Sequence, residues 1–495
     1  MTTAPAAADR RRWIALAIVM TASFMDLVDV TIVNIAVPSI QRDLHASFSA
    51  IQWVTGGYAL AFAIGLITGG RLGDIYGRKR IFLLGIGGFT VASALCGLAG
   101  DPSVLVATRV LQGGTAALMV PQVLAIIHTS FPAHERGKVF GMFGAVVGLG
   151  AVSGPLLGAL LTEWDLAGLQ WRPIFLINLP VGLVGALLGR RFIDESRAAQ
   201  SLKLDLVGMA LAALGLLMLL YPLTQGREAG WPLWGFVSMG LSVPVLALFV
   251  RYEKYKARKD GSPLVELSLF RVRSFAAGIG VQLTFGVTCG IFFLVWTLYM
   301  QLGLGWSPLR AGTTGIPFSL AVSAAAGMSV QQLVPRFGRK VLQAGALVMA
   351  LGVLLYLWEA DRYGTGIHSW QMALPLVVMG AGMGLIVAPL TDAVLGEVPR
   401  EHAGSASGLI NTTQQLGNAL GLSLVSVTFF TVVDGAAPGQ PAGVVFGHAF
   451  SHALWWLVGA LAVVFLLMFA LPAKATSRQE PVEQPVLDRE PEPVG

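Results

Sequence analysis

Apolar runs of about 20 residues recur from one end of this chain to the other, and they decide what it can fold into. A bilayer offers no water to open backbone groups, so runs of that length cross it as α-helices. The runs fall at roughly 13–37, 51–70, 81–100, 104–127, 138–161, 173–189 and 204–223, then 232–251, 274–299, 311–334, 340–358, 371–395, 408–433 and 449–471. The expected fold is therefore an all-α polytopic membrane protein with fourteen transmembrane helices. Of the 495 residues, 55% are hydrophobic and 12% charged, against roughly 25% charged in soluble chains.

Lys and Arg alternate between the two sides of these spans. Twenty-seven of the 33 fall in the tails and loops of one side, five on the other, and Arg109 lies inside a span. Such a bias places both termini in the cytoplasm. It also accounts for the net charge of +6 without a nucleic-acid partner. Arg10, Arg11 and Arg12 precede the first run as in a signal peptide. That run is too long, holds Asp26 and Asp29, and lacks a small-residue cleavage site, so it reads as an uncleaved span. Cys96 and Cys289 lie in separate spans, and the seven histidines show no ligand spacing. No disulfide, metal site or cofactor is expected.

Spans 204–223 and 232–251 carry almost no polar groups beyond Asp205 and Tyr221, and charged segments flank them. The expected organisation is a tail at 1–12, a six-helix bundle at 13–196 and a two-helix hairpin at 197–260. A second six-helix bundle follows at 261–472, then a Pro- and Glu-rich tail at 473–495 whose composition predicts disorder. Residues 73–80 and 335–340 form a weak repeat, as in transporters built from parallel six-span halves with the substrate site between them.

Span 1 holds the costliest residues. An acid at membrane depth costs at least about 2.5–3.5 kcal/mol, so Asp26 and Asp29 require a function or a partner. They lie about 60° apart around the helix and can line one cavity. Counted at 1.5 Å per residue, Asp29 lies about 12 Å from the outer end of span 1, and Arg109 about 8 Å from the same face in span 4. They can therefore meet; a structural ion bridge is the competing reading, and it leaves the second acid unexplained. Burial favours the protonated acid and a guanidinium the ionised one, so their balance can tune a proton carrier. Asp29 is the first candidate and Asp26 the second.

Other polar groups outline a possible cavity wall: Asn34, Tyr58, Gln112, Gln282, Trp296 and the span 13 stripe of Asn411, Gln414 and Asn418. Helix–helix glue is the alternative for that stripe. In span 5, Gly150, Gly154 and Gly158 form a ridge of small residues, which Pro155 bends. It suits either a rocking interface or a static packing face. The chain lacks a phosphate-binding G-x-x-x-x-G-K-[ST] loop and an H-E-x-x-H helix, so an enzyme is not expected.

The stretch GGRLGDIYGRKR at 69–80 resembles the signature loop of the major facilitator superfamily, matching at Gly70, Leu72, Asp74, Gly77, Arg78, Lys79 and Arg80. Gly73 and Gly77 permit its tight turn. LVATRVLQGGTAA at 105–117, GLGAVSGPLLGALL at 148–161 and DVTIVNIAVP at 29–38 resemble further motifs of that family. WRPIFLINLPVG at 171–182 and AGSASGLINTTQQLGNALG at 403–421 are similar to its fourteen-span drug:proton antiporter group. Pro173 departs from that pattern, and the 335–340 copy of the loop lacks the acid.

The resemblance implies a proton-coupled antiporter in a bacterial inner membrane that exports amphipathic, often cationic, molecules and works as a monomer. It implies a gate latch at 70–80, proton coupling at Asp29, Asp26 and Arg109, and an antiporter role for the span 5 ridge. The alternative is a dedicated exporter of one metabolite or self-made antibiotic. A receptor or scaffold without flux fits less well, because the tail after Lys474 is short.

Overall fold

The computed structural model describes residues 4–163, 168–198, 203–226, 229–437 and 439–472. The expected tail at 473–495 lies outside them. All regular structure among the described residues is helical.

The first half comprises α1 (Ala4–Asp43), α2 (Phe48–Tyr76), α3 (Arg78–Gly97), α4 (Pro102–Ser130), α5 (Ala133–Glu163), α6 (Pro173–Leu176) and α7 (Asn178–Phe192). A hairpin of α8 (Leu206–Gln225) and α9 (Leu233–Asp260) follows. The second half comprises α10 (Arg273–Leu298), α11 (Pro308–Thr314), α12 (Ile316–Met328), α13 (Val334–Phe337), α14 (Lys340–Tyr363), α15 (Ala373–Gly396), α16 (Ala403–Asp434) and α17 (Ala442–Leu467). Thirteen stretches among the described residues are long and apolar enough to cross a membrane. With α5, 31 residues long, each of the fourteen expected spans has its helix.

Local chemistry sets the ends and breaks. Asp101 caps α4 by accepting the Ser103 N–H at 2.8 Å, with Pro102 in the first turn, where the missing proline N–H costs nothing. Pro173 likewise opens α6, so its departure from the family pattern falls at a helix start. The sixth span then breaks at Ile177, and the tenth breaks at Gly315 and takes a π-helical turn at Ser329–Leu333. Such interruptions free backbone groups and redirect side chains.

Within the first half, α1 packs on α5 and α7, α2 on α4, and α3 on α4 and α7. Within the second, α10 packs on α16, α12 on α15, and α14 on α15 and α17. The halves meet along two seams, α5 against α12 and α2 against α16. The hairpin lies over the second seam. Its α8 residues Ala212 and Leu216 pack with Ala63 and Ile67 of α2 and with Ala419 of α16. At the far end, Trp53, Tyr221 and Trp234 stack in a ladder with centroids 5.7 and 5.6 Å apart.

Candidate functional site

Span 1 brings its two acids to different surroundings. Asp29 is fully buried and accepts three donors. Arg109 Nη1 reaches its Oδ2 at 2.6 Å, while Gln112 Nε2 and Asn178 Nδ2 reach its Oδ1 at 2.9 and 2.8 Å. Arg109 also donates from Nε to the Val54 carbonyl at 3.1 Å and from Nη1 to Gln112 Oε1 at 2.7 Å. Its guanidinium stacks 4.2 Å over the Tyr58 ring. A buried ion pair repays its desolvation only when further hydrogen bonds engage its spare groups, and here both Asp29 oxygens and the Nε and Nη1 of Arg109 are engaged.

Asp26, one turn away on α1 and 6% exposed, accepts the Tyr58 hydroxyl at 2.5 Å. Tyr58 thus bonds one acid through its oxygen while its ring covers the arginine that holds the other. Through that ring, a change at Asp26 can be felt at the Asp29–Arg109 pair.

Sequence reasoning named Asp26, Asp29, Arg109, Tyr58 and Gln112, and the structure brings these five together. It missed Asn178 and Ser93. Asn178 donates to Ser93 Oγ at 3.0 Å as well as to Asp29, and Ser93 in turn donates to the Phe175 carbonyl at 2.9 Å. The available signal was an amide in the apolar stretch just after the break at Ile177.

The remaining cavity candidates are dispersed. Gln282 Nε2 donates to Gln414 Oε1 at 2.5 Å, and Gln414 Nε2 to Asn418 Oδ1 at 3.2 Å, joining α10 to α16. Asn411 bonds its own helix at the Ser407 carbonyl. Trp296 donates to the Tyr356 hydroxyl at 3.1 Å and stacks on Phe292 inside the second half. Asn34 lies on α1, and its side chain is outside the described residues.

The span 5 glycines divide between two neighbours. Gly150 and Gly154 face α1: a Cβ on Gly154 would lie 1.8 Å from Thr31 Oγ1 and 3.0 Å from the Val28 carbonyl. The ridge therefore presses on the helix that carries both acids. Further along, Gly141 and Gly148 face Ala326 and Val322 of α12 across the seam between halves. Gly158 is buried; the side chain of Pro155 is outside the described residues.

The signature turn closes one end of the molecule. Asp74 is buried and ion-paired to Arg78 at 2.6 Å. It also accepts the Gly404 and Ser405 N–H groups of α16 at 3.0 and 2.8 Å. A carboxylate from one half thus caps a helix N-terminus in the other, where free N–H groups and the helix dipole favour negative charge. Gly70 and Gly404 touch backbone to backbone, since a Cβ on either would lie 2.2–2.3 Å from the other's carbonyl oxygen. Gly73 abuts Gln122, and Gly77 turns the chain at φ +107°. Lys79 Nζ donates to the Arg190 carbonyl, and Arg80 pairs with Glu195 at 3.7 Å.

Two packed helical halves, an ion pair buried in one of them and a carboxylate of that half bonded to a helix N-terminus of the other make up a multi-pass membrane protein. The profile of the Major Facilitator Superfamily matches residues 19–422, and the chain belongs to that family, one of transporters rather than enzymes. It is 45% identical over 430 residues to the "Probable actinorhodin transporter" of Streptomyces coelicolor, covering 86% of this chain and 74% of that one. It is 36% identical over 481 residues to the puromycin resistance protein pur8 of Streptomyces alboniger, covering 94% and 92%. The crystal structure of the human organic anion transporter MFSD10 superposes with a TM-score of 0.64 at 15% identity, covering 92% of this chain and 99% of that one. At that identity the match speaks for the fold.

Proposed function

We propose that this protein is a proton-coupled antiporter that exports amphipathic, often cationic, small molecules across a bacterial inner membrane, with both termini in the cytoplasm. The observation that carries the reading is the pairing of two unlike acids on one helix. Asp29 is held by Arg109, Gln112 and Asn178, whereas the hydrogen-bond partner of Asp26 is Tyr58. In this division Asp26, the second candidate on sequence, exchanges the proton, which neutralises its own carboxylate, while Asp29 stays paired with Arg109. Loading Asp26 takes the negative charge from the acceptor of Tyr58 and weakens that bond, which loosens its ring over Arg109 and alters the packing of α1 against Gly150 and Gly154. The gradient drives the cycle with no cofactor, and one chain suffices. In this reading the end closed by Asp74 is the cytoplasmic one, and the carrier is shut toward the cytoplasm.

The names of the relatives support antibiotic-like substrates. The actinorhodin transporter, at 45% identity, favours a second reading, in which the protein is a dedicated exporter of one self-made compound. Proteoliposomes loaded with a panel of cationic, neutral and anionic compounds and given a pH step test both. Export is expected to follow the pH gradient and to stop in an Asp26→Asn, Asp29→Asn double variant. Undiminished pH-driven flux in that variant would refute the coupling mechanism, and flux of one compound alone would favour the dedicated exporter.

A further inference from the structure

Where the hairpin meets the latch, a second group of ionisable residues stands apart from Asp26 and Asp29. Asp205 caps α8, its Oδ1 accepting the Gly208 N–H at 2.9 Å and the Tyr252 hydroxyl at 3.1 Å. Glu253, near the end of α9, is fully buried, and its Oε2 accepts the Val265 N–H at 2.9 Å. The other two oxygens, Asp205 Oδ2 and Glu253 Oε1, are buried with no donor among the described residues. Both face the space over Gly208. A Cβ on Gly208 would lie 2.7 Å from the first and 2.5 Å from the second. Two ionised carboxylates have only acceptors to offer and repel each other, whereas one proton between them satisfies both oxygens.

Arg71 of α2 lies within electrostatic reach of this pair. It is 2% exposed, and none of its three guanidinium nitrogens has a hydrogen-bond partner among the described residues. The carboxyl groups acting on it are Asp74, Glu253, Glu266 and Asp205. Of these, Asp74 is already engaged by Arg78 and α16. Lys256, the nearby cation on α9, is engaged by Asp260 at 2.6 Å. A guanidinium stays charged at any relevant pH, so Arg71 is a buried cation held in reserve.

A chain of contacts joins this cluster to the latch. Ser405, whose N–H caps onto Asp74, donates through Oγ to the Leu264 carbonyl at 3.1 Å. The next residue, Val265, supplies the N–H that holds Glu253. Withdrawal of α16 from Asp74 pulls on 264–265, removes the donor from Glu253 and admits water to the pair.

We propose that Asp205 and Glu253 bind one proton between them, forming a second proton site at the base of the hairpin that holds this end of the transporter shut. The inference rests on the reading of the 70–80 turn as a gate latch. On opening, the carboxyl O–H bond breaks and the proton passes to water. The pair then carries one more negative charge, which Arg71 neutralises by contact. Acid on this side therefore favours closure. A site that binds one proton only in the closed state changes the closed-to-open ratio by up to about tenfold per pH unit.

The test uses the full chain in lipid nanodiscs, in an Asp26→Asn, Asp29→Asn background that removes the other proton site. Infrared difference spectra report protonated carboxyl groups. Spin labels at Arg191→Cys and Phe337→Cys, exposed on opposite halves, report the separation of this end. A protonated-carboxyl band is expected to titrate together with the separation. Glu253→Gln and, independently, Asp205→Asn are expected to abolish both responses; either variant that folds decides the matter. Survival of the band and the pH response in the variants, or absence of any such band while this end is closed, would overturn the proposal. A wild-type protein that moves no drug yet keeps the Glu253-dependent band would refute the export reading and support this one.

Discussion

The Gly404→Ala substitution puts a methyl group where the two halves touch. Its carbon would lie 2.3 Å from the Gly70 carbonyl oxygen and 2.6 Å from Asp74 Oδ1. The first neighbour is backbone in a packed helix and cannot swing aside. Ordinary contact requires α16 to retreat from α2 by about 1 Å. That movement stretches the Asp74 bonds to Gly404 and Ser405, now 3.0 and 2.8 Å, to or beyond the limit of hydrogen bonding. Losing one charge-assisted hydrogen bond costs about 1.5–3 kcal/mol, which lowers the closed-to-open ratio roughly 10- to 150-fold. Spin-label distances between Arg191→Cys and Phe337→Cys should move to the separated population, and drug efflux should fall because the cycle must pass through the closed state. Gly459→Ala, where nothing lies within 4 Å of the added carbon, is the control. A Gly404→Ala protein with wild-type distances and efflux would refute the latch geometry.

Arg109→Lys keeps the charge but cannot bridge Asp29, Gln112 and the Val54 carbonyl together; pH-driven efflux should fall at least about tenfold while the protein remains folded by circular dichroism. Tyr58→Phe removes the Asp26 partner and keeps the ring over Arg109, so the pH profile of efflux should shift while expression is unchanged. Gly154→Ala forces α5 away from Thr31 and Val28 and should lower the thermal midpoint by several degrees. Asp43, outside the membrane span, is held below the usual carboxyl range, first by the Trp171 indole N–H and then by Arg172. Its contribution is present above the ordinary carboxyl pKa of about 4 and is lost as the pH falls through the lower folded value. Asp43→Asn should therefore flatten the acid limb of a thermal-stability profile.

Much of this architecture is legible in one dimension, because a bilayer allows few alternatives. An apolar run of 20 residues has one outcome, and an acid inside it stands out against that background. Arg109 could be matched to Asp29 because depth follows from counting residues along a straight helix. Facing is harder to read. Trp296 ends the wholly apolar run 291–296 of α10, so nothing in its local spacing reveals that it turns toward Tyr356. Asn178 was hidden for another reason: it follows a break in its span, where an amide resembles a helix cap. Glu253 falls among the basic residues of 251–273 and reads as part of a solvated tail. Its burial depends on residues 264–265 folding back across α9, a contact that no local pattern encodes.

The hairpin has a consequence for where this protein works. Only 17% of the apolar window of α9 is buried inside the protein, and Trp234, Phe236, Leu241 and Val243 point outward along its length. Lipid is therefore the main neighbour of the helix that carries Glu253. A bilayer thinner than this helix exacts a cost of fractions of a kcal/mol per ångström of mismatch, which a tilt of α9 can relieve. Such a tilt would shift Glu253 relative to Asp205 and Arg71. Membrane thickness thereby joins the variables that can act on the transporter, through a helix that lies outside both halves of the fold.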